Sequence, residues 1–549
     1  MKKIIKAMAT SLCLITVSAA VGCGPKPQTS GNGGGGRLYT IQVAVTNAGF
    51  GLDWAKTLAK EYNEMNPNSD YGIEIVDYGM KWADQILTDL ALGNGYQMYI
   101  NSANEITTGI YKNYFEDISD ILDDNVDGEN QGTVQQKITN FDQWKDNYSK
   151  FGEGLYALPY SNGVVGMVID HQEFIDNGWY CFEDEAKTVL TVGKDGIRGT
   201  YDDGQPQTLA EFNAMLERIT VNAKPFIYGG GVTAYLDYIY NSIFAQYAGN
   251  EEYSAFVNYD SKDKEVRLVD GTTTPISLGN GYKVYEMKAL TQAYEIFENW
   301  FDYTSGTAKD YVHSICKNTS ASQYDTQNMF LLGYKGAASN PKSAIMIDGI
   351  WWENEAKAMF NSLDNVNRGY GDREYRMLLL PTFEGQQETK SCVSVCTAGV
   401  MAIPKDKNAE RLAVTKDFLK FLIKDESLRT ITNMTGDILG YDYEIDVNNA
   451  ENMTPFQKNM AQMYADKENV RIVSLALDRV RSPLAYASDK GEKSTLYPFD
   501  KNNVVTLNCL DAVKKLNGSE ITTGLANRYT KQTWASYIQQ AKNGGFFAD

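Results

Sequence analysis

The chain has 549 residues, of which 43% are hydrophobic and 12% aromatic, so it can bury large cores and has room for roughly three to four domains. A net charge of −19 excludes general affinity for nucleic acid and gives no attraction for anionic ligands beyond local cationic pockets. With only two histidines, His171 and His313, histidine-based triads and histidine-rich zinc sites are disfavoured, whereas carboxylate chemistry stays open.

Lys2, Lys3 and Lys6 precede an apolar stretch that ends in Ala20-Val21-Gly22-Cys23. A short charged-then-apolar segment closed by small residues is an export signal. The cysteine directly after it resembles a bacterial lipobox, although Ala20 stands where leucine is preferred. That resemblance implies removal of residues 1–22 and a lipid on Cys23; the plainer alternative is a secretory signal followed by a loop. Gly24 to Gly36 is rich in Gly, Ser, Thr, Asn and Pro, and residues 23–37 read as a flexible tether. Lipid and tether together would hold a folded body at the outer face of the cytoplasmic membrane. No later run approaches the ~18–20 apolar residues of a spanning helix. Beyond Cys13 and Cys23, five cysteines remain (Cys181, Cys316, Cys392, Cys396, Cys509), without CxxC spacing. No disulfide framework is expected, and Cys392 and Cys396 read as small buried hydrophobes.

Tyr39, Ile41, Val43 and Val45 alternate as in a strand. A loop, Asn47–Gly51, leads to Asp53 as a helix cap. Trp54, Leu58, Tyr62 and Met65 then repeat at helical spacing until Pro67. Gly72–Val76 reads as a second strand, Ala83–Leu92 as a helix and Tyr96–Ile100 as a third strand. This alternation predicts parallel strands. Thr208-x-x-Glu211 is a capping box for a helix with apolar face Leu209, Phe212, Leu216 and Ile219. Met287, Leu290, Tyr294 and Phe297 mark another helix. Val414, Phe418, Phe421 and Leu422 mark a third, with Lys424 in its last turn. Beyond Asp437 the periodicity is weak.

Three segments, in order and spacing, resemble one family. Gly154-Leu155-Tyr156-Ala157-Leu158-Pro159-Tyr160 followed by Gly163–Asp170 resembles the first interlobe crossing of maltose-binding-type receptors. Ala344-Ile345-Met346-Ile347-Asp348-Gly349-Ile350-Trp351-Trp352 resembles their strand ending in Asn/Asp-Gly-x-Trp. Leu380–Gln386, Ala398–Pro404 and the helix Glu410–Leu422 resemble the next crossing. The likeness spans Leu38 to Tyr441 and is to the extracellular solute-binding proteins of ABC sugar importers. It implies an α/β, two-lobed, periplasmic-binding-protein type II fold, each lobe a sheet flanked by helices, joined by crossing hinge strands. Lobe 1 would take residues 38–160 and 397–436. Lobe 2 would take 161–396 and 437–549, with an insertion at about 181–207.

The same resemblance makes Trp351 the ligand-stacking residue. A flat ring covers the apolar face of a sugar while polar side chains bond its hydroxyl edge. Asp348 and Glu353 flank the tryptophan pair as acceptors. One of Trp351 and Trp352 is expected in the core, since neighbours point differently. Tyr160 and Asn162 lie at the matched crossing, as ligand contacts or as hinge packing. Loops beyond the carboxyl ends of strands line clefts in α/β sheets. That nominates Asn47 and Phe50 after the first strand, and Asn101, Ser102, Asn104 and Glu105 after the third, the latter four with helix capping as the alternative. Trp54 fits a helix's apolar stripe better than a ligand site, and Trp82 is undecided. Tyr235, a further candidate ligand contact, and Tyr238 follow Gly229-Gly230-Gly231, a close backbone turn that lacks the Lys-Ser/Thr of a phosphate loop.

Asp195, Asp202 and Asp203, spaced by glycines, are a candidate structural calcium site, against the simpler reading of a hairpin tip with solvated acids. No cofactor is otherwise required. The expected function is capture of a carbohydrate, of oligosaccharide size, for delivery to an ABC transporter permease, by a monomer without catalysis. Two alternatives remain: a receptor of the same fold for a peptide or polyamine, and a secreted carbohydrate-active enzyme with paired carboxylates.

Overall fold

The computed structural model describes residues 37–47, 49–79, 83–126, 132–150, 153–304, 311–337, 340–445, 453–475 and 496–543. The signal, the lipobox cysteine Cys23, nearly all of the tether, and Trp82 lie outside them.

The alternating apolar residues after the tether form β1 (Tyr39–Thr46), which lies parallel to β2 (Tyr71–Gly79) and β3 (Met98–Ser102). Between them run the helices Asp53–Met65 and Ala83–Ala91. Asp53 opens the first helix instead of capping it; Leu52 holds the cap position without a side-chain hydrogen bond, and Asp53 places its charge in the first turn, where the helix dipole favours it. Ala44 joins Val43 and Val45 in full burial because both faces of this strand are covered.

Two long strands tie this half to the other. β4 (Leu158–Asp170) and β10 (Ser391–Ala402) run antiparallel to one another. The far end of β10, Gly399–Ala402, pairs with β3, whereas its start, Ser391–Ser394, pairs with β11 (Val470–Val473). The second half of β4 pairs with β8 (Ser343–Gly349) and β9 (Tyr375–Leu378), and β8 lies parallel to β5 (Lys224–Ile227). The resulting order is β2-β1-β3-β10-β4-β8-β5. A separate hairpin joins β6 (Glu265–Arg267) and β7 (Thr273–Pro275). A third connection between the halves passes beside the first crossing, where Leu439 bridges Ser161 and the Tyr441 hydroxyl donates to the Pro159 carbonyl at 2.6 Å.

The predicted capping box is present: the Thr208 side chain accepts from the Glu211 amide, and Glu211 accepts from the Thr208 amide, opening the helix Leu209–Thr220. Lys424 does not close the helix Ala409–Leu422; Lys420 occupies its last turn, and Lys424 precedes a second helix, Asp425–Thr435. Past Asp437 the chain forms the helix Pro455–Ala465, β11, and the helices Cys509–Lys515, Gly518–Ala526 and Lys531–Asn543. No described helix is long and apolar enough to cross a membrane. The five described cysteines form no disulfide, with Cys392 buried and Cys396 partly exposed.

Candidate ligand-binding site

The carboxyl ends of β1 and β8 meet where the two halves face each other. β8 is buried along its whole length and delivers Asp348, Gly349 and then Trp351 to this junction. Trp351 is 3% exposed. Its ring meets Phe50 edge-on at 6.1 Å between centroids and Tyr235 at 6.0 Å. Phe50 comes from the loop after β1, and Tyr235 from the first turn of the helix Ala234–Asn258. Three glycines make room for the indole. A Cβ at Gly349 would stand 2.2 Å from Cζ2, at Gly49 2.7 Å from Cδ1, and at Gly163 3.1 Å from Cζ3. Gly49 also has φ +85°, which L side chains rarely adopt.

Behind the indole sits a buried acidic pair. Gln327 Nε2 donates to Asp348 Oδ2 at 3.1 Å and to Glu355 Oε2 at 2.8 Å. Burial, reinforced by the charge of Glu355, pushes the Asp348 carboxyl up to about 8. Burial also raises Glu355 above the usual carboxylate range. Tyr235 is raised by burial and by Asp348 nearby, while a hydrogen bond from Trp351 acts the other way. An aromatic wall beside strong acceptors can cover one face of a hydroxylated ring and bind its edge.

Residues 57–439 match the family of bacterial extracellular solute-binding proteins. The chain belongs to that family. This solute-binding protein shares its fold with a chitin oligosaccharide binding protein, at a TM-score of 0.56 and 11% identity, over 91% of this chain and 99% of that one. RafE from Streptococcus pneumoniae aligns at 0.54 and 11% identity over 92% and 98%. AcbH, a bacterial solute receptor with an exclusive preference for β-D-galactopyranose, aligns at 0.56 and 10% identity over 91% and 99%. The fold is the two-lobed type II arrangement of sugar receptors. No curated protein is significantly similar to the chain.

Other nominated residues of this solute-binding protein fall elsewhere. Trp352 is fully buried, caged by Phe330, Phe360, Tyr375 and Phe456, and belongs to the core. Glu353 follows it inward; one oxygen accepts from the Thr454 hydroxyl, and burial pushes its carboxyl up to about 7. The physical reason is helical rotation: the helix Trp352–Glu355 starts at this point, turning successive side chains by about 100°. Glu355, two positions after Glu353, is the carboxylate that returns to the junction. Tyr160, near the start of β4, stacks on Trp54 at 5.1 Å and is packed into the core. Asn162 faces away from Trp351. Alternation along β4 turns Gly163 to the indole and Asn162 to the opposite side. There it lines a cavity of about 560 Å³ with Trp144, Val395, Tyr441 and Tyr464.

Asn47 is exposed at the end of β1. Asn101 is buried within β3, in register with Val400. Ser102 ends that strand, and Asn104 and Glu105 lie in the first turn of the helix Ala103–Tyr111, so the predicted loop is absent; the side chains of these three lie outside the described residues. The glycine run is a close approach as read: a Cβ at Gly230 would stand 2.4 Å from the Asn318 carbonyl oxygen.

The aspartates of the insertion are taken up by their own loop. Asp202 is buried, accepting from the Asp195 amide at 3.2 Å and the Thr200 hydroxyl at 3.0 Å. Asp203 accepts from the Gly199 amide at 2.6 Å, and Asp195 from the Ile197 amide at 2.7 Å. A Cβ at Gly193 would stand 2.0 Å from the Asp202 carboxyl carbon, so backbone already fills the space against it. Among the described residues no three acidic, histidine or cysteine groups converge as a metal site. Calcium takes six to eight oxygens around one point, and of these carboxylates Asp203 keeps one buried oxygen, Oδ1, without a hydrogen-bond partner.

Sequence reasoning missed Glu355, Gln327 and the glycine seat of the indole. Gly49 and Gly349 were legible as turn residues, but nothing in the spacing pairs Gln327 with two carboxylates 21 and 28 positions away.

Proposed function

We propose that the protein captures a carbohydrate of oligosaccharide size between its halves and hands it unchanged to an ABC transporter permease. The lipid on Cys23 and the tether keep it at the outer face of the cytoplasmic membrane. The observation that carries this reading is the Trp351 indole, held by glycines at the junction and walled by Phe50 and Tyr235. A sugar ring stacks on such a face, and Glu355 stands ready at its hydroxyl edge. Family membership and the ligands named for solved relatives of this fold lend it support: chitin oligosaccharide and β-D-galactopyranose. Two rigid halves joined by β4, β10 and the segment near Tyr441 rotate about those crossings. Ligand favours the closed arrangement only through its extra affinity for it.

The test is a thermal-shift panel of mono- and oligosaccharides, peptides and polyamines, followed by chromatographic recovery of each ligand that stabilises. An oligosaccharide that raises the melting temperature and returns intact supports the reading. Stabilisation by peptides or polyamines alone refutes it, as does time-dependent cleavage of the sugar. Replacing Cys23 by Ser should release the protein from the membrane fraction; unchanged fractionation refutes the anchor.

A further inference from the structure

Glu355 and Asp348 present an electrostatic demand that a neutral sugar leaves unmet. Both carboxylates share one side-chain donor, Gln327 Nε2, while Asp348 also accepts from the Gly349 backbone amide at 2.7 Å, and Gln327 itself is fully buried. The other end of that amide, Oε1, is a buried acceptor with no hydrogen-bond donor. The groups that face the pair from neighbouring elements are acidic or neutral. Tyr235 projects from the helix Ala234–Asn258, and Tyr324, in the first turn of the helix Gln323–Leu332, feels both Glu355 and Asp348. Cys396 on β10 adjoins Tyr235. No described lysine or arginine forms an ion pair with either carboxylate. A buried negative charge without a counter-charge is costly, and the cost falls when a cation arrives with donors of its own.

Glu355 is the member that reaches the junction. Its Oε1 lies 3.0 Å from the position a Cβ at Gly49 would take, so it touches the opposite half directly. A group bound on Trp351 therefore meets Glu355 first and Asp348 behind it.

We propose that Glu355, backed by Asp348 across the Gln327 amide, seats a protonated amine on the captured carbohydrate. The inference rests on the carbohydrate reading above and narrows it to amine-bearing sugars. An ammonium donates three hydrogen bonds, and charge-assisted bonds to carboxylate are the strong ones. N-acetylation of the same amine removes the charge and leaves the carboxylates without a counter-charge.

The experiment is calorimetric titration of the full mature protein with a β-1,4-linked glucosamine oligosaccharide, its N-acetylated counterpart of equal length, neutral oligosaccharides, and spermidine. The free amine form should bind at least about tenfold more tightly than the acetylated form. Glu355→Gln should collapse that ratio to near one, because Gln327 can still donate to the new amide while the charge is gone. Asp348→Asn should reduce the ratio part-way. The melting temperature of each ligand-free variant should not fall, since Glu355→Gln removes an uncompensated buried charge and Asp348→Asn replaces a carboxyl that burial already keeps largely protonated at neutral pH. Equal affinity for the two forms overturns the amine seat and leaves carbohydrate capture standing, as does binding of neutral sugars alone. An amine preference that survives Glu355→Gln also overturns it. Tight binding of spermidine with no binding of any sugar supports the charged seat and refutes the carbohydrate reading.

Discussion

Trp351 and Trp352 are neighbours in sequence, yet truncating each should produce opposite phenotypes. Trp352 has 0% exposure and four aromatic neighbours within 6.3 Å between centroids. Truncating it to Ala opens a cavity that the packed rings cannot close, at about 3–5 kcal/mol. Trp351 stands at the junction of the two halves, where water can enter in place of its ring, so its loss should cost the fold less. On the proposed reading its contribution is to the ligand instead. If half of the indole's ~200 Å² is covered by a sugar ring, about 100 Å² at 25 cal/mol per Å² gives ~2.5 kcal/mol. That corresponds to a Kd weaker by about 70-fold. The assay pairs denaturant unfolding with calorimetric titration on both variants, using a sugar found in the thermal-shift panel. The reasoning fails if Trp351→Ala binds as tightly as the parent. It also fails if Trp351→Ala destabilises the chain more than Trp352→Ala does.

Gly349→Ala should expel the indole, because the new methyl would stand 2.2 Å from Trp351 Cζ2; a red-shifted tryptophan emission and weaker sugar binding report it, and unchanged emission argues against the glycine seat. Asp437, buried beside the crossing strands and facing the Ser161 hydroxyl and the Asn162 and Ile438 amides, is pushed up by burial to about 7. The folded chain then holds a proton that the unfolded chain releases, so this group's contribution is full below pH ~4 and is lost as pH rises to about 7. Asp437→Asn should flatten the fall of melting temperature over that window, and an unaltered pH profile refutes the assignment. Millimolar calcium, or its removal by a chelator, should leave the melting temperature unchanged, because Asp195, Asp202 and Asp203 are committed to their own loop; a calcium-dependent rise would show that the loop opens to take the ion.

The amino-acid order by itself determined the local and the repetitive. Ile41, Val43 and Val45 specify β1 because alternation needs no distant partner to be read. Thr208 and Glu211 announce a helix start because both halves of the capping box lie within one turn. The run from Ala344 to Trp351 placed a tryptophan at the end of a strand, and that strand delivers it to the junction.

Tertiary structure alone decided which side chains meet. Rotation of the short helix after Trp351 sent Trp352 and Glu353 inward and returned Glu355, a choice fixed by where the helix begins. One residue of register on β4 set Gly163 against the indole and Asn162 in the cavity on the opposite side, since successive side chains in a strand take opposite faces. Gln327, Asp348 and Glu355 are joined by a single amide only because one helix packs beside β8. Contacts of that kind are made by folding in three dimensions and leave no period along the chain.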